Sequence, residues 1–284
     1  MVKNKLKKTN LKTAIVTGGS RGIGFRIATI LAKKGFNVVV CSRNLIEGKK
    51  AKKEIESYGV KCLALKVNVS SYKQCKSLVK KTIKKFKRID LLVNNAAIHG
   101  PVGELWKNSP GEWEKTVQIN LLGTFYMSHV VIPYMLKQKS GRIINLAGGG
   151  AAYARPLFSA YACSKTAVLR LTETLSEELK SKNIIVIALA PGITWTAMTR
   201  EGMQKSIKIN DNENINKLKK VRASGGTSYL EHEKVISYLL SNSSSKLSGK
   251  LLHVNEVDKI MKRISKIKPE SGLLRRISYN CVEV

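Results

Sequence analysis

Two side chains four residues apart, Tyr161 and Lys165 in Ser159-Ala160-Tyr161-Ala162-Cys163-Ser164-Lys165, have the types and the spacing to move a proton. Ala167, Val168, Leu171, Leu175 and Leu179 follow at helical intervals, and residues four apart share one face of a helix. On that face the lysine ammonium comes within reach of the tyrosine ring. A free phenol has a pKa of about 10; a cation held beside it favours phenolate and lowers that value. Tyr161 would then serve as a general acid and base near neutral pH. Because Tyr-x-x-x-Lys often arises by chance, the reading depends on what surrounds it.

The elements that must hold such a pair are legible upstream. The apolar run Ala14-Ile15-Val16 meets Thr17-Gly18-Gly19-Ser20-Arg21-Gly22-Ile23-Gly24, and a helical pattern (Ile23, Ile27, Ile30, Leu31) follows, closed by Gly35. Strand, glycine turn and helix in that order form the front of a dinucleotide-binding unit. Glycines let backbone amides approach a pyrophosphate, and the helix N-terminus adds partial positive charge. Short apolar runs near 38–41, 62–67, 91–93, 143–146, 184–189 and 250–254 alternate with helical patterns near 44–58, 71–86, 111–136 (bending near Pro133), 159–179 and 235–241. That alternation predicts an α/β fold: one doubly wound parallel sheet with helices on both faces. The expected organisation is a basic tail at 1–11, one domain over 12–255, and a basic extension at 256–284 that includes Arg275 and Arg276. Residues 193–227, polar and weakly periodic beyond a strand's carboxyl end, are a possible substrate lid.

Composition narrows the function classes. The chain has 284 residues and a formal net charge of +32, the excess lying mostly in its first third. Much of it falls on solvent faces of amphipathic helices (Lys49, Lys50, Lys52 and Lys53; Lys80, Lys81, Lys84 and Lys85). The lysine blocks lack interleaved aromatics and no nucleic-acid module appears, so no specific nucleic-acid binding is expected. No apolar run approaches the roughly 18 residues of a membrane span, and the basic N-terminus lacks the apolar stretch of a secretory signal. No membrane association and a cytoplasmic location are the expectation. Five scattered cysteines give neither a disulfide framework nor zinc spacing. The histidines His99, His129, His232 and His253 show no metal spacing and are read as structural or exposed; no metal is expected.

Five motifs in order, T-G-G-S-R-G-I-G (17–24), N-N-A-A (94–97), Asn120 in N-L-L-G, Y-A-C-S-K (161–165) and P-G-I-T-W-T (191–196), resemble the short-chain dehydrogenase/reductase family, closest to its 3-oxoacyl-carrier-protein-reductase-like members. The resemblance covers roughly residues 12–255 and implies a Rossmann-type fold. It implies that Tyr161 donates the proton to a substrate carbonyl, that Lys165 lowers the Tyr pKa and binds the nicotinamide ribose, and that Asn120 holds a water in the proton relay. Thr17, Gly18, Ser20, Arg21, Gly22, Ile23 and Gly24 would line the cofactor phosphates. Asn68 and Val69 resemble the adenine-contacting pair, Asn94 and Ala96 would sit beside the cofactor, and Pro191, Gly192 and Thr196 would meet the nicotinamide. A homo-oligomer, dimer or tetramer, is implied by the resemblance alone.

Cofactor choice has its own physical argument. NAD-preferring sites place a carboxylate near the end of the second strand to accept from the ribose 2′-OH. Here Cys41-Ser42-Arg43-Asn44 stands there, with Arg21 in the glycine turn. Two guanidiniums and a hydroxyl suit a 2′-phosphate, so NADP(H) is the expected cofactor.

One departure stands out. The family's catalytic serine lies thirteen residues before the tyrosine, and that position is Gly148, preceded by Ala147. Losing one oxyanion donor costs about 100- to 1000-fold in rate; Ser159 and, more weakly, Tyr153 are the candidate replacements. The expected function is therefore NADP(H)-dependent hydride transfer between nicotinamide and a small carbonyl or alcohol substrate. The alternative is a cofactor-binding relative with little turnover, acting as a redox sensor or structural subunit.

Overall fold

Short runs rich in Val, Ile and Leu, buried most fully in the central strands, form seven strands among the described residues: β1 (Thr13–Thr17), β2 (Asn37–Ser42), β3 (Cys62–Lys66), β4 (Leu91–Asn94), β5 (Gly141–Leu146), β6 (Ile184–Ala190) and β7 (Leu251–His253). The computed structural model describes residues 11–267 of the chain. All six strand pairings are parallel, in the order β3-β2-β1-β4-β5-β6-β7. Ile15 lies between Val39 and Leu92 in the central register. Alternate residues of one strand feed two cores: Ala14 and Val16 face one layer, Ile15 the other. The first layer is built by α1 (Gly22–Lys33), α2 (Leu45–Glu56), α9 (Tyr229–Leu240) and α10 (Val257–Arg263); the second by α3 (Tyr72–Phe86), α5 (Gly123–Gln138) and α6 (Ser159–Glu178). Burial on both faces is why these strands read as continuous apolar runs. The strand order reverses between β1 and β4, which opens a crevice at their carboxyl ends.

Three stretches differ from the sequence expectation. The helix expected over 111–136 is interrupted not at Pro133, which sits inside α5, but by a π-turn at Gln118–Leu122 between α4 (Pro110–Val117) and α5. The whole stretch Pro110–Gln138 is long and apolar enough to cross a membrane; half of its most apolar window is buried inside the protein, and Met127, Val131 and Met135 belong to the second core. Polar Gln118, Asn120 and His129 broke that run in the sequence. Segment 193–227 is two helices, α7 (Ala197–Lys208) and α8 (Asn212–Ser224). Its ends are held together where Thr194 pairs with Gly226 and Thr227 N–H donates to Ile193 O at 2.8 Å. Periodicity was weak there because so little is buried: Gly202 and Ser206 in α7, Leu218 in α8. Residues 257–267 pack back on the first core through Ile260, Ile264 and Ile267, whereas Arg275 and Arg276 lie outside the described residues.

Candidate active site

The glycine turn leaves β1 and wraps the N-terminus of α1. Gly18 and Gly22 have φ of +62° and +59°, values that L side chains avoid. A Cβ at Gly18 would stand 3.1 Å from Ala96 Cα, and one at Gly24 would be 3.0 Å from Asn95 Cγ. The turn is therefore clamped on the end of β4. Thr17 Oγ1 accepts from the N–H groups of Asn95 (2.9 Å) and Ala96 (3.0 Å), and Asn95 Nδ2 donates to Thr17 O (2.8 Å). Thr17 thus acts as a tie, and Asn95, which the motif reading passed over, is its partner. The first turn of α1 has no side-chain cap and no acidic residue, so its N–H groups are unspent. Ser20 and Arg21 lie at the mouth, both on the carboxylate of Glu47 (3.4 and 3.3 Å), while Ile23 packs against the first core. Arg43 is exposed just after β2. Asn68 and Val69 follow β3, Val69 buried and Asn68 Oδ1 accepting from Ser70 N–H at 3.2 Å. This amide-lined cradle fits a dinucleotide.

Across the crevice, Gly192 (φ +74°) turns the chain out of β6, and His232 is 2.8 Å from Pro191 O. Thr196 caps α7, its Oγ1 accepting from Thr199 N–H at 3.4 Å. Its Cγ2 is 3.4 Å from where a Cβ on Gly22 would stand, so the glycine turn and the proposed lid face each other. Asn94 does not face the crevice with its side chain. That group is buried, donating to Asn145 Oδ1 (2.9 Å) and Ser128 Oγ (3.2 Å).

Tyr161 and Lys165 lie one turn apart on α6, both buried. Lys165 Nζ donates to Leu146 O at 2.6 Å, at the end of β5, and stands 5.9 Å from the Tyr161 ring centroid. Burial pushes Lys165 down to about 8. Burial raises the Tyr161 phenol, against which the Arg155 guanidinium pulls it down; the phenol thus stands above its ordinary value, not below it as expected from Lys165. The Tyr161 hydroxyl makes no hydrogen bond to any described residue. Asn120, in the π-turn, has its side chain engaged: Oδ1 accepts from Ile98 N–H (2.9 Å), and Nδ2 donates to Ile98 O (2.9 Å) and Ser164 Oγ (3.0 Å).

The family model for short chain dehydrogenase matches residues 12–206. The chain is 33% identical to a 3-oxoacyl-[acyl-carrier-protein] reductase of Staphylococcus epidermidis over 86% of its length and 97% of that protein. It is 31% identical to that of Thermotoga maritima over 86% and 96%. The chain belongs to the short-chain dehydrogenase family. Solved structures agree: a variant of actinorhodin polyketide ketoreductase with NADPH (TM-score 0.79, 28% identity, 86% of this chain and 95% of that one) and an NAD+-bound xylitol dehydrogenase (0.77, 27%, 87% and 98%) share the fold. Family membership makes the protein an oxidoreductase of nicotinamide cofactors.

Among short-chain dehydrogenase motifs, the vacant serine position is the informative one. Gly148 follows β5, and a Cβ there would overlap the Tyr161 hydroxyl and lie 3.0 Å from ring atoms Cε1 and Cζ. The room for a serine side chain is taken by the tyrosine itself. Ser159 is held by Trp113, whose Nε1 donates to its Oγ at 3.2 Å, and Tyr153 is largely exposed. His99, read from sequence as structural or exposed, packs edge-on against the Tyr161 ring (centroids 5.2 Å apart) with Nδ1 buried and unpartnered. Only its place two residues after N-N-A-A hinted at this. Among the described residues no cluster of three metal-ligating side chains occurs.

His99 supplies a pH prediction. Burial first, then the charge of Arg155, pushes it down to about 4, whereas an unfolded histidine titrates near about 6.5. As pH falls, the unfolded chain takes up the proton first, so this contribution is present above about 6.5 and is lost between there and 4. Between pH 7 and 5 wild type should lose about 2 kcal/mol more than His99→Gln in urea unfolding. Equal losses would remove His99 as the source.

Proposed function

We propose that the protein is an NADP(H)-dependent carbonyl reductase or alcohol dehydrogenase with Tyr161 as its general acid and base. The observation that carries the reading is the Tyr161 hydroxyl: it hydrogen-bonds no described residue, on a buried side chain one helical turn from a buried Lys165. NADP(H), when bound, supplies or accepts the hydride. In the reducing direction Tyr161 gives its proton to the substrate oxygen. Lys165, fixed by Leu146 O, keeps a cation on the same helix face to stabilise the phenolate left behind and holds the nicotinamide ribose. Asn120 braces the Ile98 loop and Ser164 beneath that face and, in this reading, orders the water that re-protonates the site. Pro191, Gly192 and Thr196 border the nicotinamide, Ala96 and the backbone of Asn94 floor the crevice, and Asn68 and Val69 flank the adenine. Helices α7 and α8 form the lid. The names of the curated relatives add 3-oxoacyl thioesters to the compounds to be tried. NADPH oxidation against ketones, aldehydes and 3-oxoacyl thioesters tests the reading; tight NADPH binding with no turnover across the panel would favour the non-catalytic alternative.

NADP(H) over NAD(H) rests on Arg21 and Arg43 at the mouth of the adenosine side. Glu47 opposes it, but its pairing with exposed Arg21 at 3.3 Å is a surface ion pair of about 0–1 kcal/mol and yields readily to a phosphate. Charge-assisted hydrogen bonds are worth about 1.5–3 kcal/mol each. Arg43→Ala and Arg21→Ala should therefore each raise KM for NADPH by about tenfold or more and change that for NADH little. Equal effects on both cofactors would reject the assignment. A reducing, cytoplasmic setting suits the free, buried Cys41, Cys62 and Cys75. A homo-oligomer suits the half-exposed Phe125 and Leu136 on α5, and sedimentation tests it.

A further inference from the structure

The segment between β5 and α6 carries a cation with no hydrogen-bond or ion-pair partner among the described residues. Arg155 lies on the loop beside Tyr161, with its Cζ 3.8 Å above the Phe158 ring and 5.5 Å from the Tyr161 ring centroid. The guanidinium is partly buried, yet it makes no hydrogen bond or ion pair with any described residue. Asp211 acts on it through its charge alone, without a hydrogen bond or ion pair, and the nearby carboxylates hold other partners. Asp211 accepts from Ser206 Oγ (3.2 Å) and Asn214 N–H (3.1 Å), and Glu201 is paired with Lys205 at 2.7 Å. A desolvated guanidinium is expensive unless something completes it, and stacking on one ring face does not use its five donors.

Its position also bears on the missing serine. A Cβ on Gly149 would stand 3.5 Å from Arg155 Nη1, and the neighbouring Gly148 faces the Tyr161 hydroxyl. The guanidinium and the proton donor therefore lie against adjacent residues of one glycine loop, the guanidinium 5.5 Å from the tyrosine ring centroid. A serine hydroxyl orients a neutral carbonyl by its oxygen alone. A guanidinium can do so by gripping a carboxylate on the same molecule, whose planar fork matches its own. Resting on the reductase reading, we propose that the substrate is an oxo acid, a carbonyl compound whose carboxylate lies one to three carbons from the reacting carbon and binds Arg155. The carboxylate completes the unpaired guanidinium and presents the carbonyl oxygen to Tyr161 without a serine. The net positive charge of +32 would also draw such anions toward the crevice.

The test compares five-carbon 2-, 3- and 4-oxo acids with their methyl esters, using NADPH, in wild type, Arg155→Gln and Arg155→Lys. At least one acid should exceed its ester in kcat/KM by about 30-fold or more, as one charge-assisted pair implies. Arg155→Gln should bring that ratio to near one, and Arg155→Lys should leave it in between. The ratio cancels any effect of Arg155 on Tyr161 itself. Calorimetry of pentanoate with the NADPH-loaded protein reads the anion site without turnover. If no compound is reduced but pentanoate binds in wild type and not in Arg155→Gln, the anion site stands and the reductase reading falls. Esters reduced as well as acids, or a preference that survives Arg155→Gln, would overturn the oxo-acid assignment, as would pentanoate binding that is absent or indifferent to Arg155.

Discussion

Tyr161→Phe should lower kcat for carbonyl reduction by at least about 1000-fold while leaving NADPH affinity within a few-fold of wild type. The ring is buried against His99, and phenylalanine keeps the ring and its edge contact. The hydroxyl has no hydrogen bond to a described residue, so removing it strands no partner and costs little stability. What is lost is the proton. General acid catalysis contributes about 100- to 10,000-fold, and no neighbouring side chain is free to supply it: Ser159 is held by Trp113, and His99 is neutral because burial holds it down to about 4. Stopped-flow NADPH oxidation on a substrate identified with wild type, with cofactor binding by fluorescence beside it, checks both halves. A variant that keeps more than a tenth of wild-type kcat would remove Tyr161 as the acid.

The sheet was legible because a strand buried on both faces leaves an apolar signature, clearest in β1, β2, β4 and β6. The α7–α8 excursion was not, because a helix pair that buries only three residues, one of them a glycine, leaves almost no periodic trace. Residue types told where Tyr161, Lys165 and the glycines stand, but not which way side chains point. Asn94 turns into the core toward Asn145, and Thr17 ties down Asn95. The π-turn at Asn120 has no composition signal; a single extra residue in the helical ladder is set by the packing of Ile98 and Ser164 around it. His99 and Arg155 were invisible for a different reason. Their importance lies in being placed beside Tyr161 by two separate loops, a long-range fact that no local pattern carries.

Gly148→Ser tests geometry against motif. By motif the substitution restores a lost donor and should raise the rate about 100- to 1000-fold. The geometry predicts the reverse, a loss of about tenfold or more, because the new Cβ meets the Tyr161 hydroxyl and comes within 3.0 Å of two ring carbons. Relief requires either the loop or the tyrosine to move. The loop is pinned on both sides: Ala147 N–H donates to Leu189 O at 2.9 Å, Ala151 N–H to Gly148 O at 3.0 Å, and Lys165 holds Leu146 O at 2.6 Å. The tyrosine is backed by His99 and by α6, and a displacement of about 1 Å at a catalytic atom can cost 100-fold. Steric displacement therefore outweighs the added donor. Gly148→Ala separates the two effects, since it brings the Cβ without the hydroxyl. Similar losses in both variants would show that the bare backbone is what allows Tyr161 to stand where it does. A gain with serine and a loss with alanine would show that the ring gives way and that the hydroxyl was the missing part.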